Sequence, residues 1–434
     1  MPCISVRKGS VRRRASVLPI LAVATALVGG VARADAPPPP YREAWRAVTD
    51  GASSGATVWD GVAYVTTEDA VLAFDVVSGD RVASYPRGGA LLRPAIGTVD
   101  GRDLLVYLDG GSTTEATPSP SSSGPVEVVA IDLADGSEPW RTAFEAGVPG
   151  GLTVVGDTAY LVDGDGALSA LSLRDGSTTW AVRGVGSSDA PPLVVADAVF
   201  ASGAPDGTSR ILAVDAATGE RRWRQEPQYG IAATSALAAS LDALAYVSSD
   251  RVAHLLDAAT GEVRWERLLV NLPSPVAAPV VAEDAVIATD YAGGVYRLDL
   301  ATGDRIWDHQ LNVLAVRSSP VLVDGAVVLG TDDGRVVALD GGTGRLVADV
   351  RLGDGVVGAI ATAGDLLLAP VAGSAPALVA LATDPAGRLL DVVSPTVADP
   401  VAMVGRFALV AAVLLGAAAL GARRSRRAIR GGTP

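Results

Sequence analysis

Short apolar runs bounded by turn-forming residues dominate the chain between residues 41 and 395. Residues 62–67, 158–162, 285–289 and 326–330 are examples, and each alternates or runs apolar over five or six positions. Such runs between turns are typical of β-strands. No stretch in this region shows a sustained helical period with caps. The pattern therefore predicts an all-β domain.

One short unit recurs through this region. It reads Ala-Ile-Asp-Leu-Ala-Asp-Gly at 130–136 and Ala-Val-Asp-Ala-Ala-Thr-Gly at 213–219, with a weak last copy at 380–387. Its glycines are 57, 40, 43, 42, 42, 41 and 43 residues apart. The one long gap contains a Ser/Thr/Pro/Gly-rich stretch at 111–125, which indicates a surface loop. Four short strands in about 42 residues are typical of one blade of a β-propeller.

Each recurring position of the unit has a physical role. The Asp can accept hydrogen bonds from backbone N–H groups of the turn, and the Gly supplies positive φ at its corner. In five units a Trp follows the Gly by four residues, where its ring can fill the wedge between blades and its N–H can find an acceptor. A sixth Trp, Trp45, lies in a similar strand with no unit before it. The predicted structural residues are Trp45, Trp140, Trp180, Trp223, Trp265, Trp307, Gly79, Gly136, Gly176, Gly219, Gly261, Gly303 and Gly344.

Ala, Gly and Trp at the first, seventh and eleventh positions resemble the tryptophan-docking motif of pyrroloquinoline-quinone (PQQ)-like repeat propellers. Full matches start at Ala130, Ala170 and Ala213, whereas the units with Trp265 and Trp307 lack the first Ala. In that family the Trp lies between its own unit's Ala and a peptide plane at a neighbouring unit's Gly. The resemblance covers 41–394 and implies a propeller of the quinoprotein type, close to the non-catalytic outer-membrane assembly factors.

Counting from each Trp position to the next Gly gives eight units, and we expect the strand around Trp45 to join the last blade and close the ring. Closure removes open sheet edges. Seven blades remain an alternative if the copy at 380–387 is only a linker. Positions 83, 348 and 391 carry no Trp, so we expect looser packing at those junctions.

Both ends of the chain carry membrane signals. Residues 1–34 have a basic start, an apolar run and a small-x-small site, as in a secretory signal peptide, followed by a Pro-rich linker at 35–40. An uncleaved anchor and twin-arginine export through Arg12-Arg13-Arg14 are the alternatives. Cys3, the one cysteine, precedes the apolar run and would leave with a cleaved peptide.

Residues 401–422, after a linker at 395–400, form an apolar segment of 22 residues with one charge, Arg406. At about 1.5 Å per residue this segment is long enough to cross a bilayer, and we prefer that interpretation to a buried core helix. The basic tail, 423–434, would stay in the cytoplasm, which places the propeller outside. We therefore expect a single-pass cell-membrane protein with an extracytoplasmic domain.

Charge and composition narrow the function. The 434 residues carry a net charge of −13, but the two ends hold twelve of the 35 basic residues and no acid, so 35–405 carries −25. The negative field of this domain opposes the binding of nucleic acid and of an anionic cofactor such as the tricarboxylate PQQ. The resemblance implies that PQQ enzymes use Ca²⁺ bound by Glu, Asn and Asp, often with a vicinal Cys pair. This chain has one Cys and two Asn, Asn271 and Asn312.

Other candidate sites are weak. Asp163-Gly-Asp165-Gly166 and Asp332-Asp333-Gly334 suggest hairpin turns more than Ca²⁺ sites. His254 and His309 are expected to be packed or solvated, and Ser235 and the other serines have no identifiable base partner. Arg221-Arg222-Trp223-Arg224 is interpreted as a solvated blade edge.

The sequence thus predicts a non-catalytic, monomeric, membrane-anchored propeller of the cell envelope, with no catalytic, cofactor-binding or metal-binding residues. We expect it to serve as a protein-interaction scaffold or to bind a small ligand. The alternatives are a PQQ-dependent dehydrogenase and an extracytoplasmic sensor of small ligands or sugars.

Overall fold

The structure, a computed structural model, describes residues 41–89, 91–113, 122–203, 210–225, 236–248, 250–270, 277–313, 316 and 318–383. These residues form 32 strands in eight four-stranded antiparallel sheets. In the described part of the chain, no helix is long and apolar enough to span a bilayer. The predicted signal peptide, membrane segment and basic tail lie outside the described residues.

The first four blades each use four consecutive strands, in chain order from the channel to the rim. Blade 1 contains β2 (Thr57–Trp59), β3 (Val62–Thr66), β4 (Ala70–Asp75) and β5 (Arg81–Pro86). Blade 2 contains β6 (Ala95–Val99), β7 (Arg102–Thr113), β8 (Ser122–Asp132) and β9 (Trp140–Phe144). Blade 3 contains β10 (Leu152–Val155), β11 (Thr158–Val162), β12 (Ala167–Ser172) and β13 (Thr178–Arg183). Blade 4 contains β14 (Leu193–Val195), β15 (Ala198–Gly203), β16 (Arg210–Asp215) and β17 (Arg221–Gln225).

The next three blades repeat this order, and the last one differs. Blade 5 contains β18 (Ala238–Ala239), β19 (Ala243–Val247), β20 (Val252–Asp257) and β21 (Val263–Leu268). Blade 6 contains β22 (Val280–Val281), β23 (Ala285–Thr289), β24 (Gly294–Asp299) and β25 (Arg305–Gln310). Blade 7 contains β26 (Val321–Val323), β27 (Ala326–Gly330), β28 (Arg335–Asp340) and β29 (Leu346–Arg351). Blade 8 contains β30 (Ala361–Ala363), β31 (Leu366–Val371), β32 (Ala377–Thr383) and the N-terminal strand β1 (Tyr41–Val48).

The N-terminal strand closes the ring, as the sequence predicts, and the number of blades is eight. β1 pairs antiparallel with β32, and Trp45 lies opposite Ala380. The same pairing of first and eleventh positions joins Ala170 to Trp180 and Ala213 to Trp223. The Trp that the last unit lacks at 391, outside the described residues, is therefore replaced by one from the other end of the domain.

The core lies between blades rather than within one sheet. Eight apolar clusters occupy the eight junctions. The second and third strands of each blade are covered on both faces, so β19 and β27 are buried at every position. The outer strands alternate between exposed and covered side chains, as β17 and β25 show. This explains why the strand runs are apolar in mid-blade and alternate at the rim.

The two ends of the blades form different faces. The face that carries the turns between first and second and between third and fourth strands, including the repeated unit, is here called the motif face. The opposite face carries the turns between second and third strands and the connections between blades, and is here called the connection face.

Candidate functional site

The tryptophan of one blade packs on the glycine of the next at six junctions. A Cβ built on Gly261 would lie 2.7 Å from the Trp223 ring, too close for a real side chain. A Cβ built on Gly219 would lie equally close, at 2.7 Å, to the Trp180 ring. The Trp223 Nε1–H donates to the Ala258 carbonyl at 2.9 Å. The six Trp–Gly pairs are Trp45–Gly79, Trp140–Gly176, Trp180–Gly219, Trp223–Gly261, Trp265–Gly303 and Trp307–Gly344.

The Asp of the unit holds the turn that presents this glycine. The Asp215 carboxylate accepts from the backbone N–H groups of Ala217 and Thr218, both at 3.1 Å. The Gly219 N–H donates to the Asp215 carbonyl at 2.9 Å, and Gly219 has φ of 71°. The Arg222 guanidinium and these N–H groups lower the pKa of the Asp215 carboxyl to about 2. The unit is thus a structural device on the motif face.

The weaker candidate sites are engaged in turns. The Asp163 carboxylate accepts from the Ala167 N–H at 2.9 Å, and the Asp333 carboxylate accepts from Thr331 and Arg335. In the basic cluster, Arg222 pairs with Asp197 and Asp215, which ties together two turns of blade 4. These side chains hold surface turns of the blades. His309 is half-buried on β25, and Ser235 lies outside the described residues.

The prediction that no serine has a base partner is wrong for Ser248. Its Oγ lies 2.8 Å from the His254 Nε2, and the His254 Nδ1 lies 3.2 Å from a Glu266 carboxylate oxygen. The ring of His254 stacks on Tyr246, with centroids 4.4 Å apart. Burial lowers the pKa of His254 although Glu266 and Asp250 oppose the shift. Three neighbouring strands bring these residues together, which no spacing in the sequence reveals.

This row of hydroxyl, imidazole and carboxylate has the order of a nucleophilic relay. The Ser248 hydroxyl, however, is only 5% exposed and donates to the Asp250 carboxylate. A nucleophile must reach its substrate and give its proton to the base. The cluster therefore fits a buried polar network that holds the β19–β20 turn better than a catalytic centre.

An open cavity lies at the channel mouth on the connection face. It is a cavity of about 470 Å³, lined by blade connections and inner strands. Its apolar lining includes Leu91, Pro94 and Leu152, and its charged lining residues are Arg93 and Asp189.

Hydroxyl groups of blade 1 hold the segment that carries Arg93. The Thr66 hydroxyl donates to the Leu92 carbonyl at 2.6 Å, and the Thr57 hydroxyl donates to the Pro94 carbonyl. The Arg93 Nε–H in turn donates to the Thr57 oxygen at 3.0 Å. The surrounding protein lowers the pKa of the guanidinium because it removes water, although the side chain remains exposed in the mouth.

This donor set does not fit PQQ. Three carboxylates would need several cations, and the described lining of the mouth offers one arginine, with one aspartate of the opposite charge. Among the described residues, no cluster of three His, Cys, Asp or Glu side chains could hold a metal ion. Asn312 uses its backbone carbonyl to accept from Arg335.

The fold and its junctions define a closed eight-bladed propeller of tryptophan-docked, PQQ-like repeats. Over residues 108–207 and 207–384 the chain matches the family model described as outer membrane protein assembly factor BamB. Because the match extends over more than half of the chain, the protein belongs to this family. The comparison with curated proteins gave no match.

Solved structures share the fold at low sequence identity. BamB from Moraxella catarrhalis is 17% identical, with a TM-score of 0.62 over 80% of this chain and 98% of that chain. The computationally designed Ika8 protein is 15% identical, with a TM-score of 0.59 over 80% and 100%. Quinohemoprotein alcohol dehydrogenase ADHIIG from Pseudomonas putida HK5 is 14% identical, with a TM-score of 0.62 over 79% and 76%. BamB and an alcohol dehydrogenase are thus equally similar to this chain in fold, so the fold does not decide the function and the site must be considered.

Proposed function

We propose that this protein is a non-catalytic scaffold of the cell envelope, anchored by residues 401–422 with the propeller on the extracytoplasmic side, and that a protein partner docks on blades 5–7. Family membership supports the scaffold role. The charged residues of the channel mouth argue against a PQQ-dependent dehydrogenase. The Ser248 hydroxyl, which is buried and donates to Asp250, argues against a hydrolase.

The uneven distribution of exposed apolar side chains carries this proposal. Eight of the eleven large ones among the described residues lie on blades 5–7, and we call these eight the docking sector. They are Leu241, Val263, Leu268, Val270, Tyr291, Ile306, Leu322 and Leu346. The other three are Val48, Val77 and Val82, on blades 8 and 1. The eight are spread over the outer strands, the inner strand β26 and the turns of both faces of these blades, and such enrichment in one sector favours a protein-interaction surface there.

Ion pairs do not distinguish the sector from the rest of the ring. They occur on both sides, for example Arg141 with Glu127 on blade 2 and Arg264 with Asp242 on blade 5, so the uneven feature is the exposed apolar side chains. Water already solvates exposed charged side chains and screens their pairing, whereas the apolar Leu268 and Val270 gain free energy when a partner covers them. A partner would therefore favour blades 5–7.

Site-specific photocrosslinking in native cells tests the docking surface. A photoreactive residue at Leu268 or Ile306 should capture one discrete protein, whereas the same residue at Val77, which is 83% exposed on blade 1, should not. Equal capture at Val77, or no capture in the sector, would contradict the proposal.

Two further measurements test the rest. A protease added outside cells should spare a tag at residue 434 and digest the propeller only after unfolding; loss of the tag would refute the orientation.

The purified protein should not reduce dye with PQQ and Ca²⁺, and chelator-sensitive reduction would show a dehydrogenase.

A further inference from the structure

Eight equivalent positions encircle the channel mouth. They lie two residues before the first strand of each blade. These positions are Gly55, Arg93, Gly150, Pro191, Ala236, Ala278, Ser319 and Ala359. Seven are small or proline, and one is an arginine. The ring is narrow here, because a Cβ on Gly55 would approach the Ala359 Cβ to 3.1 Å and one on Gly150 would approach the Ala190 oxygen to 2.4 Å.

The arginine is placed rather than free to move. The carbonyls on either side of it accept from the Thr66 and Thr57 hydroxyls, and its Nε–H is bonded to Thr57. A similar bond without a charge occurs two blades later, where the Thr153 hydroxyl donates to the Pro192 carbonyl at 2.6 Å. The repeat therefore supplies the clamp, and Arg93 adds a cation to it.

Among the residues that the structure describes, none accepts a hydrogen bond from the other end of the guanidinium. Among the described residues, no carboxylate lies within 4 Å of Arg93, and its terminal nitrogens have no hydrogen-bond partner. Arg87, on the same connection, instead donates to the carbonyls of Thr67, Gly88 and Leu108. A guanidinium that is oriented through one nitrogen offers its remaining N–H groups as a planar fork that matches a carboxylate.

We propose that the channel mouth binds a single carboxylate borne on a small apolar group, with Arg93 as the binding residue. The apolar lining of Leu91, Pro94 and Leu152 would cover the rest of the ligand. A cavity with one arginine and one aspartate as its charged lining residues, in a strongly acidic domain, favours a monoanion over a polyanion. The same chemistry occurs at the C-terminus of a peptide and in a free small carboxylic acid.

Calorimetry with the full-length protein in detergent tests this site. The probes are N-acetyl-Ala-Leu with a free carboxylate, the same peptide as its amide, and 4-methylpentanoate. We expect the free acids to bind and the amide to bind about tenfold or more weakly, since it lacks the charge. Arg93→Gln should cause a similar loss. Arg102→Gln, an exposed arginine outside the cavity, should cause none.

Each outcome decides a point. Binding of the peptide acid but not of 4-methylpentanoate supports the site with a peptide terminus as its source, and the reverse result supports it with a small acid. Equal binding of acid and amide, no binding of any probe, or unchanged binding in Arg93→Gln with an unchanged melting temperature would overturn it. Crosslinking at Leu268 tests the docking sector separately, so failure of either proposal leaves the other intact.

Discussion

Two junctions between blades solve one packing problem differently. Between blades 4 and 5, Trp223 packs on Gly261 and donates to the Ala258 carbonyl. Between blades 1 and 2 the equivalent positions are Ala83 and Gly136, and no atom lies within 4 Å of a Cβ built on Gly136. At the motif face, the Trp223 indole fills the gap between blades 4 and 5, whereas no side chain fills the equivalent gap between blades 1 and 2.

The second junction is fastened from its other end. Arg87 is buried and donates to the Thr67 carbonyl of blade 1 and the Leu108 carbonyl of blade 2, each at 2.8 Å. The Gly88 N–H also donates to the Asp109 carboxylate, and Gly110 donates back to Gly88. The buried Tyr64 and Tyr107 fill the core below. The looser packing expected at position 83 is thus confined to the Gly136 turn. The comparison shows that other contacts, here those of Arg87 and the two tyrosines, can hold a junction that has no docked tryptophan.

Removal of the Trp223 side chain at the junction between blades 4 and 5 should have the largest effect on stability. Trp223→Ala should lower the free energy of unfolding by about 3–5 kcal/mol, since it removes a buried aromatic side chain and leaves a cavity. Trp223→Phe keeps most of the ring and leaves the Ala258 carbonyl without its donor, at about 1–3 kcal/mol. Urea unfolding of the purified protein measures both, and an equal loss in the two variants would be inconsistent with packing as the main contribution.

The two glycines allow a matched comparison. Gly261 and Gly136 have φ of 75° and 74°, so an alanine costs about 1–2 kcal/mol of backbone strain at either. Only Gly261→Ala also forces a Cβ into the Trp223 ring, which adds about 1–3 kcal/mol. Urea midpoints of the two variants should therefore differ, with Gly136→Ala closer to the wild type. Equal midpoints would show that the ring yields without cost.

Removal of the Arg87 side chain at the junction between blades 1 and 2 should have the next largest effect on stability. Arg87→Ala leaves buried carbonyls without donors and should cost about 1–3 kcal/mol of unfolding free energy. Arg81→Ala is the control, because its pair with Asp50 is exposed and long at 3.6 Å, and such pairs contribute about 0–1 kcal/mol. Similar urea midpoints for the two variants would argue that the junction relies on its tyrosines alone.

The smallest effect should come from the turn carboxylate of the docked side. Because the folded-state pKa of Asp215 lies at about 2, below the ordinary value of 3.8, its contribution is present above about pH 4 and is lost as the pH falls towards 2. Asp215→Asn keeps an acceptor for the turn and should flatten the acid side of the stability profile. Melting temperatures between pH 2 and pH 5 measure this, and an unchanged slope would contradict it.

Much of the fold could be predicted from spacing alone. The period near 42 and the turn around Asp215 depend on residues adjacent in the chain, so they predict the blades and their turns. The Trp45 strand, which has no repeat unit before it, favours closure with eight blades, and the structure excludes the alternative of seven. The same reasoning missed Arg93, Arg87 and Ser248. An alignment of the residues that precede each inner strand could have revealed Arg93, since it is the one charge in that column.

The sequence by itself therefore determined the repeat and the turn chemistry, since a local unit repeated at a fixed period needs only one solution to its packing. It favoured eight blades but left seven open, and the tertiary structure decided for eight. Only the tertiary structure decided what surrounds each exception to the repeat. Arg87 finds acceptors on two blades, Ser248 meets His254 across a turn, and Arg93 stands in a ring of small residues contributed by the other seven blades. The reason is that ring closure brings together residues far apart in sequence, where spacing carries no information.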